Sequence, residues 1–338
     1  MINKFKGKHG PLLIAEIGGN HEGNFEYALE LTKLAIDADV DYIKYQMYSG
    51  DTLVSQQESP VRNKHFKKFE LSKEQYIQLA ELCEANNVGF MASVWDLDYI
   101  SWIDKYMPIY KIGSGDFTAY PILEGIVKLK KPIILSTGLS TQQEVLDTVK
   151  FIQNLDSLYL DKQYLSVLQC TSMYPIPYSS ANLSVMDTYK KETDLTIGYS
   201  DHTEGSYALE IAVAMGAEIL EFHFTDSREN KEFRDHKVSL TKNEVLDLIS
   251  KIKKINDLKG NPIKTPTEIE IETGHCTSFR RAVYPIRNLK AGTIITKDDL
   301  AYLRPNHGID ARDYKEVIGK TLKEDVIKHQ KITFEILK

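Results

Sequence analysis

The stretch LTIGYSDHTEGSYALEIAVAMGAEILEFHFT, residues 195–225, decides the fold. It opens on a short apolar run, Leu195–Asp201, passes through a stretch of helical character, and closes on a second run, Glu218–Thr225. Runs that are apolar almost throughout, rather than alternating, read as parallel strands covered on both faces. The same unit recurs upstream. Further strand candidates are Leu12–Gly18, Tyr42–Tyr48, Gly89–Trp95, Tyr110–Ser114, Pro132–Gly138 and Leu165–Ser172, which with the first two make eight.

The segments between them carry helix signals. Ser72 with Gln75, Thr141 with Glu144 and Thr241 with Glu244 are capping-box pairs, and Asn24 is an N-cap candidate. Behind these caps, Tyr76, Leu79, Ala80 and Cys83 form one apolar stripe; Val145, Val149 and Ile152 form another; Val245, Leu248, Ile249, Ile252 and Ile255 form a third. Eight β/α units over about 260 residues have the size and rhythm of a (β/α)8 TIM barrel. An open doubly wound sheet is the alternative.

After Gly260 the pattern changes. Residues 1–260 read as the barrel, 261–280 as a Pro/Thr/Glu-rich linker without clear period, and 281–338 as a small β-rich domain. Short strands are expected there at Ala282–Ile286, Ala291–Thr293, Leu300–Leu303, Arg304–Gly308, Val317–Gly319 and Lys331–Ile336. A core that small is expected to pack on something.

Composition narrows the function. The 338 residues carry a net charge of −6 from 42 basic and 48 acidic side chains, with no basic block of the kind that binds nucleic acid. The cysteines Cys83, Cys170 and Cys276 fit neither a disulfide framework nor a metal site, which points to a reducing, cytoplasmic compartment. The stretch Met1–Gly10 is polar and basic, unlike a signal peptide. No apolar run approaches the ~20 residues of a membrane span.

In a barrel the C-terminal strand ends form the chemical face. Those ends carry Glu16, then Lys44 and Gln46, then Ser93, then Lys111, Ser114 and Asp116, then Ser136, then Ser172 and Tyr174, then Ser200 and His202, and last Glu221 and His223, followed by Asp235. A lysine inside an apolar strand is expensive unless paired or liganded. Lys44 and Lys111 are therefore the clearest signals, although each could simply pair with a carboxylate. With strand-end hydroxyls and glycine amides they suit a substrate bearing phosphate and carboxylate. His202 and His223, on adjacent strands, can ligate a metal and leave positions open for water and substrate. Either could equally be a satisfied core histidine. Glu221 lies two residues before His223 and so faces the same side.

In order along the chain, Ala15-Glu16-Ile17-Gly18-Gly19-Asn20-His21, Lys44-Tyr45-Gln46, Lys111-Ile112-Gly113-Ser114-Gly115, Ser136-Thr137-Gly138, Cys170-Thr171-Ser172-Met173-Tyr174, Ser200-Asp201-His202-Thr203 and Glu221-Phe222-His223 resemble the sialic acid synthases and the related legionaminate and pseudaminate synthases. Arg281, Ala291–Ile295 and Arg304-Pro305 resemble the antifreeze-like (SAF) domain that follows the barrel in that family. The resemblance implies a transferase that condenses phosphoenolpyruvate with an N-acetylated amino-sugar aldehyde to give a nine-carbon sugar and phosphate. It implies His202 and His223 as ligands of Mn2+ or Mg2+. Lys44, Ser93, Lys111, Ser114, Ser136, Ser172 and Ser200 become the phosphoenolpyruvate cradle. Glu16, Asp116 and Glu221 take catalytic roles, and Gln46, Tyr174 and Asp235 contact the sugar. Arg304 resembles the arginine that one subunit inserts into its partner's site, so a domain-swapped homodimer is expected.

The sequence departs from the best-known members at Ser172, at Ser93-Val94-Trp95, at Phe233-Arg234 (where Gly-Pro is usual) and at Asn306-His307. These positions bear on which sugar is used. Two alternatives stand beside this reading. One is another barrel synthase or aldolase acting on sugar phosphates, which would need a second anion site, and no further basic cluster is expected. The other is a non-catalytic binding or interaction protein.

Overall fold

The computed structural model describes residues 4–338. The first three residues of the basic N-terminal stretch lie outside the described residues. The chain divides into two compact units, one ending at Gly260 and one running from Asn261 to Lys338.

The first unit is a nearly closed barrel. Its parallel strands are β1 (Gly10–Gly18), β2 (Tyr42–Met47), β3 (Gly89–Val94), β4 (Tyr110–Ile112), β5 (Ile133–Ser136), β6 (Leu165–Cys170), β7 (Thr196–Asp201) and β8 (Ile219–His223). They pair in the order β3-β2-β1-β8-β7-β6-β5-β4. The first and last strands are therefore neighbours, with Glu16 in register with His223. That pairing rules out the open doubly wound sheet. A short strand, Lys6–Gly7, folds back on the start of β1.

The helices that wrap the barrel are α1 (Phe25–Asp37), α2 (Lys73–Ala85), α3 (Ile100–Ile103), α4 (Tyr120–Val127), α5 (Gln142–Leu155), α6 (Val185–Thr193), α7 (Tyr207–Ala214) and α8 (Lys242–Lys259). Asn24 caps α1 through its side chain, and complete capping boxes open α2, α5 and α8. Two further helices, Gly50–Leu53 and Pro60–Lys68, are inserted between β2 and α2. Among the described residues no helix is long and apolar enough to cross a membrane.

The two-residue period of the strands divides the core. Leu13, Ala15 and Ile17 point outward into the large cluster beneath the helices. Leu12, Ile14, Met91, Ile109, Ile134, Leu168 and Ile219 point inward and plug the barrel from below. Gly198 of β7 belongs to this tight layer. A Cβ there would stand 2.3 Å from the Ile219 carbonyl oxygen and 2.5 Å from Leu168.

The second unit has its own core of Val283, Leu289, Ile295, Leu300, Ile309, Val317, Leu322, Val326, Ile332 and Leu337. Only β9 (Ala282–Pro285) and β10 (Leu300–Leu303) form a ladder, antiparallel. The other expected strands are corrected. Leu289 with Val326, Ile294 with Thr321 and Leu322 with Leu337 meet as single bridges. Val317 ends a short helix, and Phe334–Ile336 is a 3-10 turn. Short apolar runs separated by frequent turns fill a small core without making ladders, and composition cannot tell the two apart. The connector is not featureless either, because a capping box of Thr267 and Glu270 opens a helix at Glu268–Glu272. That helix is too short to show a period.

Candidate active site

The inward period that builds the apolar plug continues upward into polar residues. Above Ile14 comes Glu16, above Tyr42 come Lys44 and Gln46, and above Met91 comes Ser93. Ile109 is followed by Lys111, Ile134 by Ser136, Leu168 by Cys170, Gly198 by Ser200 and His202, and Ile219 by Glu221 and His223. The strand register sets these side by side: Glu16 with Lys44, Gln46 with Ser93, Cys170 with Ser200, Ser200 with Glu221.

The lower polar layer holds four nearly inaccessible charges: Glu16 (2% exposed), Lys44 (3%), Lys111 (1%) and Glu221 (6%). Lys44 Nζ lies 2.7 Å from Glu16 and 3.9 Å from Glu221, and Lys111 Nζ lies 3.4 Å from Glu221. Gln46 donates to Glu16 at 2.9 Å, Ser200 donates to Glu221 at 2.9 Å, and Lys111 donates to Ser136 at 2.7 Å. Lys44 Nζ is 3.4 Å from Ser93 Oγ. Burial raises the Glu16 carboxyl above its ordinary value although Lys44 opposes it, and Glu221 adds to the rise. Burial acts the same way on Glu221, but Lys111 and Lys44 together outweigh it and hold that carboxyl low. Burial also lowers Lys111. The two carboxyls are thus driven in opposite directions.

His202 and His223 stand one layer higher, with ring centroids 5.3 Å apart. Nδ1 of His202 donates to the Thr171 carbonyl at 2.7 Å, so Nε2 is the nitrogen that would hold an ion once the imidazolium gives up its proton. Nδ1 of His223 is buried and has no hydrogen-bond partner. Burial disfavours the His202 imidazolium, but Cys170, with Sγ 3.9 Å away, and the Thr171 carbonyl push it up to about 9. Burial and then His202 hold His223 well below its ordinary value. A divalent ion fits this pair, since histidine is the commonest side-chain ligand of metal ions and one nitrogen is otherwise stranded. Among the described residues no group of three or more His, Cys, Asp or Glu converges for a metal. The chain would therefore supply two ligands and leave the remaining positions open.

A cavity of about 730 Å³ rises from these layers. Of the expected residues, Glu16, Lys44, Gln46, Ser93, Lys111, Ser114, Ser136, Ser172, Tyr174, Ser200, His202, Glu221, His223 and Asp235 line it. Ser114 Oγ accepts from the Gly138 amide at 3.0 Å. The Tyr174 ring lies 4.0 Å from that of His202 and 5.4 Å from that of His223. Asp235 Oδ2 is 3.9 Å from His223 Nδ1.

One expected residue is not on this wall. Asp116 closes the 3-10 turn Ser114–Asp116 and does not line the cavity; burial, opposed by Lys111, pushes its carboxyl up to about 6. Arg304 belongs to the second unit, where it is exposed with its guanidinium 5.4 Å from the Phe279 ring centre.

Sequence reasoning missed a second group of wall residues. Arg62, His65, Phe66 and Lys68 come from the inserted helix Pro60–Lys68, with Phe69 just after it; Arg234, already singled out as a departure from the resemblance, joins them from the loop beyond β8. The expectation of no further basic cluster is therefore wrong. A proline after Ser59 was the available signal for that helix, but nothing in the sequence says that its charges face the cavity.

Residues 31–264 match the NeuB family and residues 280–337 match the SAF domain. The chain is similar to N,N'-diacetyllegionaminic acid synthase of Legionella pneumophila, 34% identical over 92% of this chain and 90% of that one. It is also similar to human N-acetylneuraminate-9-phosphate synthase, 28% identical over 94% and 91%. Among solved structures it resembles N-acetylneuraminic acid (sialic acid) synthetase of Leptospira borgpetersenii, 29% identical with a TM-score of 0.71 over 78% of this chain and 90% of that one.

Proposed function

On the premise that this chain belongs to the NeuB family, we propose that it condenses phosphoenolpyruvate with an N-acetylated amino-sugar aldehyde, giving a nine-carbon sugar acid and phosphate. The observation that carries this reading is the buried Glu16–Lys44–Glu221–Lys111 cluster beneath the His202–His223 pair. The cluster is formally neutral, so its lysines can re-pair with the phosphate and carboxylate of the substrate while Ser93, Ser114, Ser136, Ser172 and Ser200 donate hydrogen bonds.

A divalent ion on His202 and His223, manganese or magnesium, would supply Lewis-acid polarisation of the aldehyde. The third carbon of phosphoenolpyruvate bonds to the aldehyde carbon, and the aldehyde oxygen takes up a proton. Water adds to the second carbon, and the bond from that carbon to the phosphate oxygen breaks to release phosphate. Glu16, whose carboxyl is held high, is placed to give or take the proton, and Glu221 stays ionised between the lysines. Asp116, which does not line the cavity, acts through its charge on Lys111. Arg304 from a second copy of the chain completes the sugar end in a homodimer.

A second reading is favoured by Arg62 and Lys68 at the rim: the aldehyde itself carries a phosphate. Both readings are tested by phosphate release from phosphoenolpyruvate with manganese, across N-acetylmannosamine, its 6-phosphate and the 2,4-diacetamido-2,4,6-trideoxyhexoses. Release with an unphosphorylated sugar supports the first reading, and release only with the 6-phosphate supports the second. No release with any sugar overturns both. His202→Ala is expected to lose manganese-dependent release while keeping its fold by circular dichroism.

A further inference from the structure

Above Ser93 and Lys111, the inward period of β3 and β4 reaches Trp95 and Gly113, and both line the cavity. The indole is held by a stack of rings. The Tyr48 ring lies on it at 5.2 Å and 21°, and Phe66 of the inserted helix meets Tyr48 edge-on at 5.2 Å. The Trp95 amide continues the strand pairing by donating to the Met47 carbonyl at 3.0 Å. A wall alone would need no nitrogen here, since a phenylalanine would stack on Tyr48 as well.

Trp95 Nε1 is nevertheless buried and, among the described residues, has no hydrogen-bond partner. An indole nitrogen can only donate. A buried indole ordinarily finds an acceptor, and leaving its N–H unmade is costly. Gly113 marks where an acceptor fits. Its φ of −73° suits any residue, so the backbone does not require glycine. A Cβ there would stand 3.7 Å from Ser93 Oγ and 4.0 Å from Trp95 Nε1, no closer than ordinary contact. Space for one atom is therefore open between two donors, because Ser93 Oγ accepts from Lys44 and keeps its own hydrogen to give.

We infer that the Trp95 N–H donates to an anionic oxygen of phosphoenolpyruvate, seated over Gly113 between Ser93 and the indole. This rests on the condensation reading and adds to it a substrate-holding donor that comes from a ring stack rather than from a strand hydroxyl or lysine. A donor fixed by stacked rings has little freedom left to lose when the substrate arrives. A hydrogen bond to a charged oxygen is also stronger than one to a neutral acceptor.

The test is calorimetric titration of the full chain with phosphoenolpyruvate in the presence of manganese, alongside phosphate release. Trp95→Phe is compared with a chain carrying benzothienylalanine at position 95, which keeps the shape of the indole and puts sulfur in place of the N–H. Both are expected to raise the phosphoenolpyruvate Kd and KM by about tenfold or more, with the KM of the accepted sugar unchanged. The unliganded benzothienyl chain is expected to melt no lower than wild type, because the donor it lacks is unsatisfied there. Gly113→Ala is expected to raise the phosphoenolpyruvate Kd by filling the seat, again without a fall in midpoint. An unchanged phosphoenolpyruvate Kd in the benzothienyl chain or in Gly113→Ala overturns the proposal. So does a loss confined to the sugar, a loss matched by a lower unliganded midpoint, or a wild type that binds no phosphoenolpyruvate. Phosphate release that does not depend on Trp95 overturns the donor alone. Binding that depends on Trp95, without release from any sugar, overturns the condensation reading alone.

Discussion

Lys111 and Glu221 are buried partners, and removing one charge of a buried pair costs more than removing both. Lys111→Met is expected to lower stability by about 3 kcal/mol, because it leaves Glu221 only the more distant Lys44, itself shared with Glu16. Adding Glu221→Gln should recover much of that loss while activity stays absent, as thermal unfolding and phosphate release would show. Recovery of activity in the double variant would count against a substrate role for Lys111. Asp116 predicts a pH dependence. Its carboxyl rises from 3.8 to about 6 on folding, so the folded chain binds that proton more tightly than the unfolded chain. The stability from this group is fully present below pH 3.8 and is lost as pH rises through about 6. Asp116→Asn should therefore be more stable than wild type at pH 7, on the order of 2–3 kcal/mol, with the advantage gone below pH 4. Thermal midpoints across that window check the sign.

Strands and helices are where local pattern and packing meet. The capping boxes at Ser72, Thr141 and Thr241 are readable one residue at a time because a cap is a local interaction. The inserted helix Pro60–Lys68 went unread because its exposed, charged faces carry little apolar period. Gly198 makes a prediction at this scale. Its neighbours include the Ile219 backbone carbonyl of the adjoining strand, which cannot move without breaking the ladder. Gly198→Ala is expected to cost about 1–3 kcal/mol, read as a fall in thermal midpoint. An unchanged midpoint would mean that β7 and β8 are looser than their register implies.

Across the whole molecule, the resemblance to domain-swapped enzymes makes a prediction about assembly. If Arg304 acts in the partner's site, His202→Ala and Arg304→Ala are each inactive, yet a mixed dimer holds one intact site. Refolding the two together should restore about a quarter of wild-type activity under random pairing, with a dimer in sedimentation. No recovery in mixed dimers of two inactive variants would place the role of Arg304 within its own chain.

The sequence by itself determined the eight-strand rhythm, the caps, and the inward set of Glu16, Lys44, Lys111, Ser200, His202, Glu221 and His223, because a period of two and a polar residue in an apolar run are both local facts. Only the tertiary structure decided that β1 and β8 pair, that Glu16 and Glu221 are driven in opposite directions, and that Asp116 does not line the cavity. It also decided that Arg62, Lys68, Phe233 and Arg234 face the same cavity as the strand ends. Those outcomes depend on which distant segments come within a few ångströms of one another. Loops and inserted helices carry no period that announces where they point.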